Sequence, residues 1–201
     1  MSGSAVSWLV RPQAVPADAP LLPGGGWPVH VLEVMRSEGL VEHLGAGIYL
    51  PADADVAPAT RALAFVPLVP AWAVLGLEAA AWVHGGPRPS PPFVVLTGLP
   101  VGSRTLPEAV RVKESSLHPD DATTVAGLRV TSPARTAADL ARWGTGEAAR
   151  RSLVWLVTYG TTNKAVQEVL ARQSRFRYTR RARQRLRRLR SGKDDALWQI
   201  C

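Results

Sequence analysis

The chain has 201 residues, 46% hydrophobic and 20% charged, long enough to bury a core and too apolar for a wholly disordered polypeptide. One cysteine, Cys201, and four histidines exclude an intrachain disulfide and a structural zinc site built on a Cys/His cluster. The net charge of +8 is unevenly placed: residues 1–171 carry 13 basic and 14 acidic side chains, residues 172–201 carry 11 and 2. That asymmetry points to a polyanion partner, nucleic acid first and an anionic membrane surface second.

The first ten residues have no basic region and only a short apolar run, so no secretory signal is expected. Residues 1–28 are rich in proline and glycine, including the Gly24-Gly25-Gly26 run, and read as an irregular arm. A short amphipathic helix follows over 29–38, with Pro28 at its start and Gly39 at its end. Two β-prone runs over 40–50 flank a Gly45-Ala46-Gly47 turn and predict a hairpin. A helix followed directly by a glycine-turned hairpin is how a winged-helix module ends, with the helix in the recognition position and the hairpin as the wing.

The one long uncharged stretch, over 62–77, is shorter than the ~20 residues a spanning helix needs, and Pro67 and Pro70 interrupt it. It reads as two soluble helices around a buried loop, so a cytoplasmic protein without membrane association is expected. A helix is predicted over 75–84, stopped by Gly85-Gly86, then strands over 93–97 and 109–114. Runs over 123–125 and 128–131 flank Ala126-Gly127 as a second hairpin. Ser132-Pro133 is the clearest helix start in the chain, because serine accepts from first-turn amides and proline at the first position loses no hydrogen bond. Helices are predicted over 133–143, 147–159 and 164–172, the last capped by Thr162 or Asn163.

Three segments resemble a known family. Residues 74–86, with Leu77-Glu78-Ala79-Ala80-Ala81-Trp82-Val83-His84-Gly85, are similar to a helix of the actinobacterial AbiEi-type antitoxins of type IV toxin–antitoxin systems. Residues 127–142, Gly-Leu-Arg-Val-Thr-Ser-Pro-Ala-Arg-Thr-Ala-Ala-Asp-Leu-Ala-Arg, resemble that family's GLPVTSPARTALDLAR segment, and Gly45-Ala46-Gly47-Ile48-Tyr49-Leu50 resembles its wing. The resemblance covers about residues 29–171 in the family's order. It implies a winged-helix-like start, a mixed α/β region, and a DNA-binding regulator whose functional partner is a nucleotidyltransferase toxin. Some related chains continue into a Vsr-like nuclease domain, which is not expected here.

Ten of the 24 basic residues lie in a run from Arg172 to Arg190. On a helix over 179–194, Tyr178, Ala182, Leu186 and Leu189 share one face. Arg180, Arg183, Arg187 and Arg190 form a row opposite, and Arg181, Arg185 and Arg188 flank the apolar stripe. Such a rod of roughly 24 Å matches about seven phosphates of one DNA strand. Arg175 and Arg177 precede it, and Phe176 and Tyr178 offer rings to an unpaired base. Arginine suits this role because its planar fork grips phosphate bidentately. Seven to ten guanidinium groups on one short rod repel each other, so the helix should order only when its stripe packs on the body or a polyanion neutralises it.

At the wing, Arg36, His30, His43 and the turn glycines Gly45 and Gly47 are candidate DNA contacts, although only Arg11 and Arg36 are basic in residues 1–52. His84 reads as a capping or core histidine, and Arg135 with Asp139 as an ion pair at i, i+4. No phosphate-binding glycine loop, nucleophile elbow or zinc-helix motif is present. A metal-dependent nuclease needs clustered carboxylates and a nearby lysine, and Pro119-Asp120 has no acidic residue two positions before a downstream lysine.

The sequence therefore predicts an α+β protein in four parts: an irregular arm over 1–28, a partial winged-helix-like module over 29–52, a mixed α/β domain over 53–171, and a basic helical tail over 172–201. The expected function is non-enzymatic nucleic-acid binding, DNA before RNA, in transcriptional regulation of the antitoxin type, with no metal or cofactor. The competing readings are an interaction protein whose tail binds an acidic partner, and a degenerate member of a nuclease family.

Overall fold

A computed structural model describes residues 27–45, 47–53, 57–98, 100, 106–175 and 177–191. The irregular arm, apart from Trp27 and Pro28, and the end of the expected tail helix lie outside these residues.

The chain is a mixed α/β protein of seven helices and seven strands among the described residues. Helix α1 (Val29–Ser37) follows an extended Pro28, and Gly39 closes it with φ +73°, a conformation that favours glycine. Strands β1 (Val41–Gly45) and β2 (Ile48–Pro51) form the expected hairpin, in register from Val41 opposite Pro51 to Gly45 opposite Ile48, with an irregularity between His43 and Gly45. Alternation along β2 makes it two-sided. Tyr49 packs under α1 with Leu32 and Val41, while Ile48 and Leu50 enter the main core. The helix–hairpin unit is thus fastened to the body.

Helix α2 (Pro58–Leu63) is followed by turns, then strand β3 (Val74–Leu75) and helix α3 (Leu77–Val83). The expectation of a helix from residue 75 is corrected here. Leu75 pairs with Val95 on one side and Val130 on the other, at the centre of the sheet. A continuous apolar run does not distinguish a buried strand from a buried helix, and β-sheet pairing on both sides takes these two residues. The same correction applies to the uncharged stretch over 62–77, which supplies one short helix, turns and a strand rather than two helices.

Strands β4 (Phe93–Thr97), β5 (Val110–Glu114), β6 (Ala122–Val125) and β7 (Leu128–Thr131) complete a five-stranded mixed sheet in the order β5-β4-β3-β7-β6. β4 and β5 run parallel, as do β3 and β7, and the other two pairs are antiparallel. On β4, Phe93 and Val95 face a core shared with α2, α3 and the hairpin, and Val94 faces a second core built from helices.

That second core centres on α4 (Pro133–Trp143), in which every residue from Arg135 to Arg142 is buried. Ser132 Oγ accepts from the Arg135 amide at 3.4 Å, as its place before Pro133 suggests. Around α4 lie α5 (Gly146–Trp155), whose chain continues as a π-helical turn over Leu156–Gly160, α6 (Asn163–Arg172), and α7 (Thr179–Arg190). Thr162 caps α6 by accepting from the Ala165 amide at 3.2 Å. No helix among the described residues is long and apolar enough to cross a membrane.

Candidate nucleic-acid interface

A buried charge network ties α4 to the end of α6, just before the basic helix. Arg135 is fully buried, and its Nε donates to Asp139 Oδ2 at 2.7 Å, the expected i, i+4 pair. Its Nη1 donates to Asp121 Oδ2 at 2.6 Å and to the Ser116 carbonyl at 3.0 Å, and its Nη2 to Ser115 Oγ at 2.7 Å. Arg172, at the end of α6, donates to Asp121 Oδ1 at 2.9 Å. Four segments, α4, the turn at Asp121, the loop at Ser115 and Ser116, and α6, are thus joined through Arg135 and Asp121. Burial pushes the Asp139 carboxyl up to about 6, against the pull of Arg135. Burial also works upward on Asp121, but the His118 amide, Arg172 and Arg135 outweigh it and hold that carboxyl below its ordinary value. Only the Arg135–Asp139 spacing was readable from sequence; Asp121 and Arg172 arrive from distant segments.

Arg142, one turn further along α4, carries the network to the basic segment. Its Nη1 donates to Gln173 Oε1 at 2.9 Å, and its Nε and Nη2 donate to the Arg177 carbonyl at 3.3 and 3.2 Å. Thr179 Oγ1 donates back to the Gln173 carbonyl at 2.8 Å. The turn between α6 and α7 is therefore pinned at three points. Tyr178, within it, has a left-handed φ of +66°.

Helix α7 packs Thr179, Ala182, Arg185 and Leu186 inward, with Leu189 partly buried beside them. Two expectations are corrected. Tyr178 does not join the apolar stripe: its left-handed backbone leaves it at the N-cap, outside α7, it is 49% exposed, and Thr179 takes the inward place. Arg185 is not a surface contact. It is fully buried, and its Nη1 donates to the carbonyls of Gly144 at 2.8 Å and Ala141 at 3.3 Å. Those carbonyls lie at the C-terminal end of α4, the negative pole of its dipole, which a guanidinium satisfies. The helix ends at Arg190, so the described rod is about 18 Å long at 1.5 Å per residue.

The other arginines from Arg175 to Arg190 keep at least part of their surface in solvent. Arg175, Arg177, Arg180, Arg187 and Arg190 are exposed, and Arg181, Arg183 and Arg188 are half-buried. None of Arg175, Arg177, Arg180, Arg183, Arg187, Arg188 or Arg190 has an ion pair among the described residues. Residues 172–191 contain no aspartate or glutamate. Phe176 lies outside the described residues.

The hairpin differs in charge. Arg36 is exposed, but its Nε donates to Glu33 Oε2 at 2.9 Å, so its charge is offset locally. Tyr49 Oη donates to the other Glu33 oxygen at 2.6 Å, and with Arg36 it holds that carboxyl below its ordinary value. His43 stacks on Tyr49 with ring centroids 4.6 Å apart, His30 is exposed, and Gly45 and Gly47 sit at the turn. Ala46 lies outside the described residues. α1 and the hairpin share one small core, whereas α7 belongs to the helical core around α4.

An open cleft of about 760 Å³ lies where β4 and β5 end, lined by Lys113, Ser115, Arg142, Trp143, Arg177 and Tyr178 among others. Lys113, Arg142 and Trp143 were not singled out by sequence reading. Each belongs to an ordinary strand or helix pattern, and it is tertiary packing that sets Lys113 over Trp143 and ties Arg142 to the α6–α7 turn.

The Pro119-Asp120 motif forms a helical turn, Pro119–Asp121, in which Asp120 is exposed and Asp121 is committed to the two arginines. Among the described residues no group of three His, Cys, Asp or Glu side chains is placed to hold a metal ion. His84 Nε2 lies 2.7 Å from the Thr131 carbonyl, the satisfied environment expected of a core histidine. No protein-family model matches this chain, and no curated protein matches it.

Proposed function

We propose that this protein binds nucleic acid, double-stranded DNA before RNA, through the outward face of α7, and acts as a transcriptional regulator of the antitoxin type. The observation that carries the reading is a row of arginines without carboxylate partners on a helix that is itself fixed. Ala182 and Leu186 are buried against α4, and Arg142 and Thr179 pin the turn that starts the helix. A row held in place loses less conformational freedom when it meets phosphate than a disordered tail does.

From Arg180 to Arg190 the row spans about 15 Å, enough for about four phosphates along one strand. Arg183 and Arg187 lie between, and Arg175 and Arg177 extend the charge past the turn. The wing contributes less charge, because Glu33 offsets Arg36. The regulatory part of the proposal, with a nucleotidyltransferase as functional partner, draws on the resemblance of residues 29–171 to the AbiEi-type antitoxins.

The test is duplex binding by fluorescence anisotropy at several salt concentrations, with the full chain and with Arg180, Arg183, Arg187 and Arg190 all replaced by glutamine. Point substitution is better than deleting residues 172–201, since deletion would uncover the apolar face of α4. The full chain should bind at low salt and weaken steeply as salt rises, and the quadruple variant should lose most of its affinity. Absence of binding in dilute buffer, or undiminished affinity of the variant, would overturn the proposal.

A further inference from the structure

The cleft at the ends of β4 and β5 holds chemistry that α7 does not. One wall comes from the carboxyl ends of two parallel strands, where Thr97 is paired with Glu114. Loops at that end of a sheet with parallel strands are a recurrent place for ligands. The other wall comes from the end of α4 and the turn before α7.

Among the cationic groups of the cleft, Arg142 is occupied in positioning the turn. Lys113 and Arg177 are the ones left for a ligand. Lys113 Nζ stands 4.6 Å from the centroid of the Trp143 ring, which also carries the Arg142 guanidinium at 4.2 Å. The Arg177 guanidinium stands 5.7 Å from the centroid of the Tyr178 ring. Neither Lys113 nor Arg177 has an ion pair among the described residues, and one carboxylate, Glu114, shares the cleft with three cations. Ser115 Oγ accepts from Arg135, which leaves its own hydrogen to donate.

Tyr178 supplies the second observation. A bulky residue at φ +66° is unfavourable and persists only where its surroundings impose it. Here the Arg142 bond to the preceding carbonyl and the Thr179 bond to Gln173 impose it. The result is a half-exposed aromatic ring on the cleft wall beside a guanidinium, in place of a tyrosine on the inward stripe of α7.

We propose that this cleft binds a nucleoside monophosphate unit, with the base stacked on Tyr178 and the phosphate held between Lys113 and Arg177. The cleft volume falls in the range of small-ligand sites, and stacking on an aromatic ring tolerates any base. The proposal shares Arg177 and Tyr178 with the nucleic-acid reading and otherwise rests on groups that reading does not use. Two sources carry this chemistry, a free nucleotide and one unpaired residue of a strand.

The experiment is calorimetric titration of the full chain with AMP, adenosine and inorganic phosphate separately. AMP should bind, and adenosine and phosphate should each bind at least about tenfold more weakly, since each keeps half of the contacts. Lys113→Gln and Tyr178→Ala should each weaken AMP about tenfold, Tyr178→Phe should restore it, and Lys164→Gln on α6 should leave it unchanged. Thermal melts of each variant establish that it is folded. A single-stranded oligonucleotide that displaces AMP assigns the unit to a strand, and one that does not assigns it to a free nucleotide. No heat with millimolar AMP, equal affinity for phosphate alone, or folded Lys113 and Tyr178 variants that bind AMP like the parent chain would overturn the proposal. A mononucleotide has no phosphodiester chain for α7 to follow. Failure here therefore leaves duplex binding by α7 standing, and failure of duplex binding leaves this cleft standing.

Discussion

Arg185 closes the end of α4: its Nη1 donates to the Gly144 carbonyl at 2.8 Å from the middle of a helix whose other arginines keep at least part of their surface in solvent. One guanidinium of the basic segment is therefore structural. Removing it strands the Gly144 and Ala141 carbonyls and opens a cavity, so Arg185→Ala should cost about 2–4 kcal/mol. Arg187→Ala, two residues on and exposed, should stay within about 0.5 kcal/mol. Urea unfolding of both variants checks this. Equal stability would mean that the contact with α4 is not made.

Arg135 neutralises two buried carboxylates at once. Arg135→Met leaves Asp121 with Arg172 and the His118 amide, and Asp139 with the longer Arg142 contact of 3.4 Å. Breaking a buried ion pair by removing one partner costs about 3–5 kcal/mol. The expected outcome is a lower urea midpoint at an unchanged slope. Near-parent stability would count against the network as a fastening for the α6–α7 turn.

His84 gives a pH dependence. Burial lowers its pKa below the ordinary 6.5, against the opposing pull of the Thr131 carbonyl, so the native state holds the neutral ring with its proton on Nε2. The unfolded chain then takes up a proton first as the pH falls. The stabilisation is complete above about pH 6.5 and is lost as the pH drops from there toward the native pKa. The melting temperature of the parent relative to His84→Gln should be flat above about pH 7 and fall as the pH drops below about 6.5. Taking the difference cancels Asp139 and the other carboxylates. A flat difference curve throughout would refute the assignment.

The outward arginines predict a salt slope. Replacing Arg180, Arg183, Arg187 and Arg190 by glutamine should reduce the slope of log affinity against log salt by roughly 3–4, from about 0.9 per phosphate contact. Arg36→Gln should change it by less than about 1, because Glu33 already offsets that charge. Anisotropy titrations at four or five salt concentrations give both numbers. A larger change for Arg36 than for the row would move the interface to the hairpin.

Local signals in the sequence carried most of the elements. Pro28 with Gly39, Ser132 with Pro133, and Thr162 each marked a helix end by satisfying, or dispensing with, an end group of the helix. The two glycine-turned hairpins were legible through β-prone runs around a turn. Leu75 was not, because its strand pairing depends on Val95 and Val130, which are distant in the chain. On α7 the helical period and its phase were readable, since Ala182, Leu186 and Leu189 face the core as expected, but its first residue and one flank were not. Tyr178 and Arg185 looked like stripe and flank, and each exchanged role once the turn and the end of α4 were in place.

What the sequence by itself determined is the charge: ten arginines in the last thirty residues, almost without acidic company, on a helical period. Their number and their spacing follow from covalent order alone. Which of them meets solvent was decided by the tertiary structure. Arg185 goes inward because the Gly144 and Ala141 carbonyls of another element accept from its Nη1. Gly144 and Asp121 stand 41 and 51 residues from the arginines they receive, Arg185 and Arg172, and only folding brings them together.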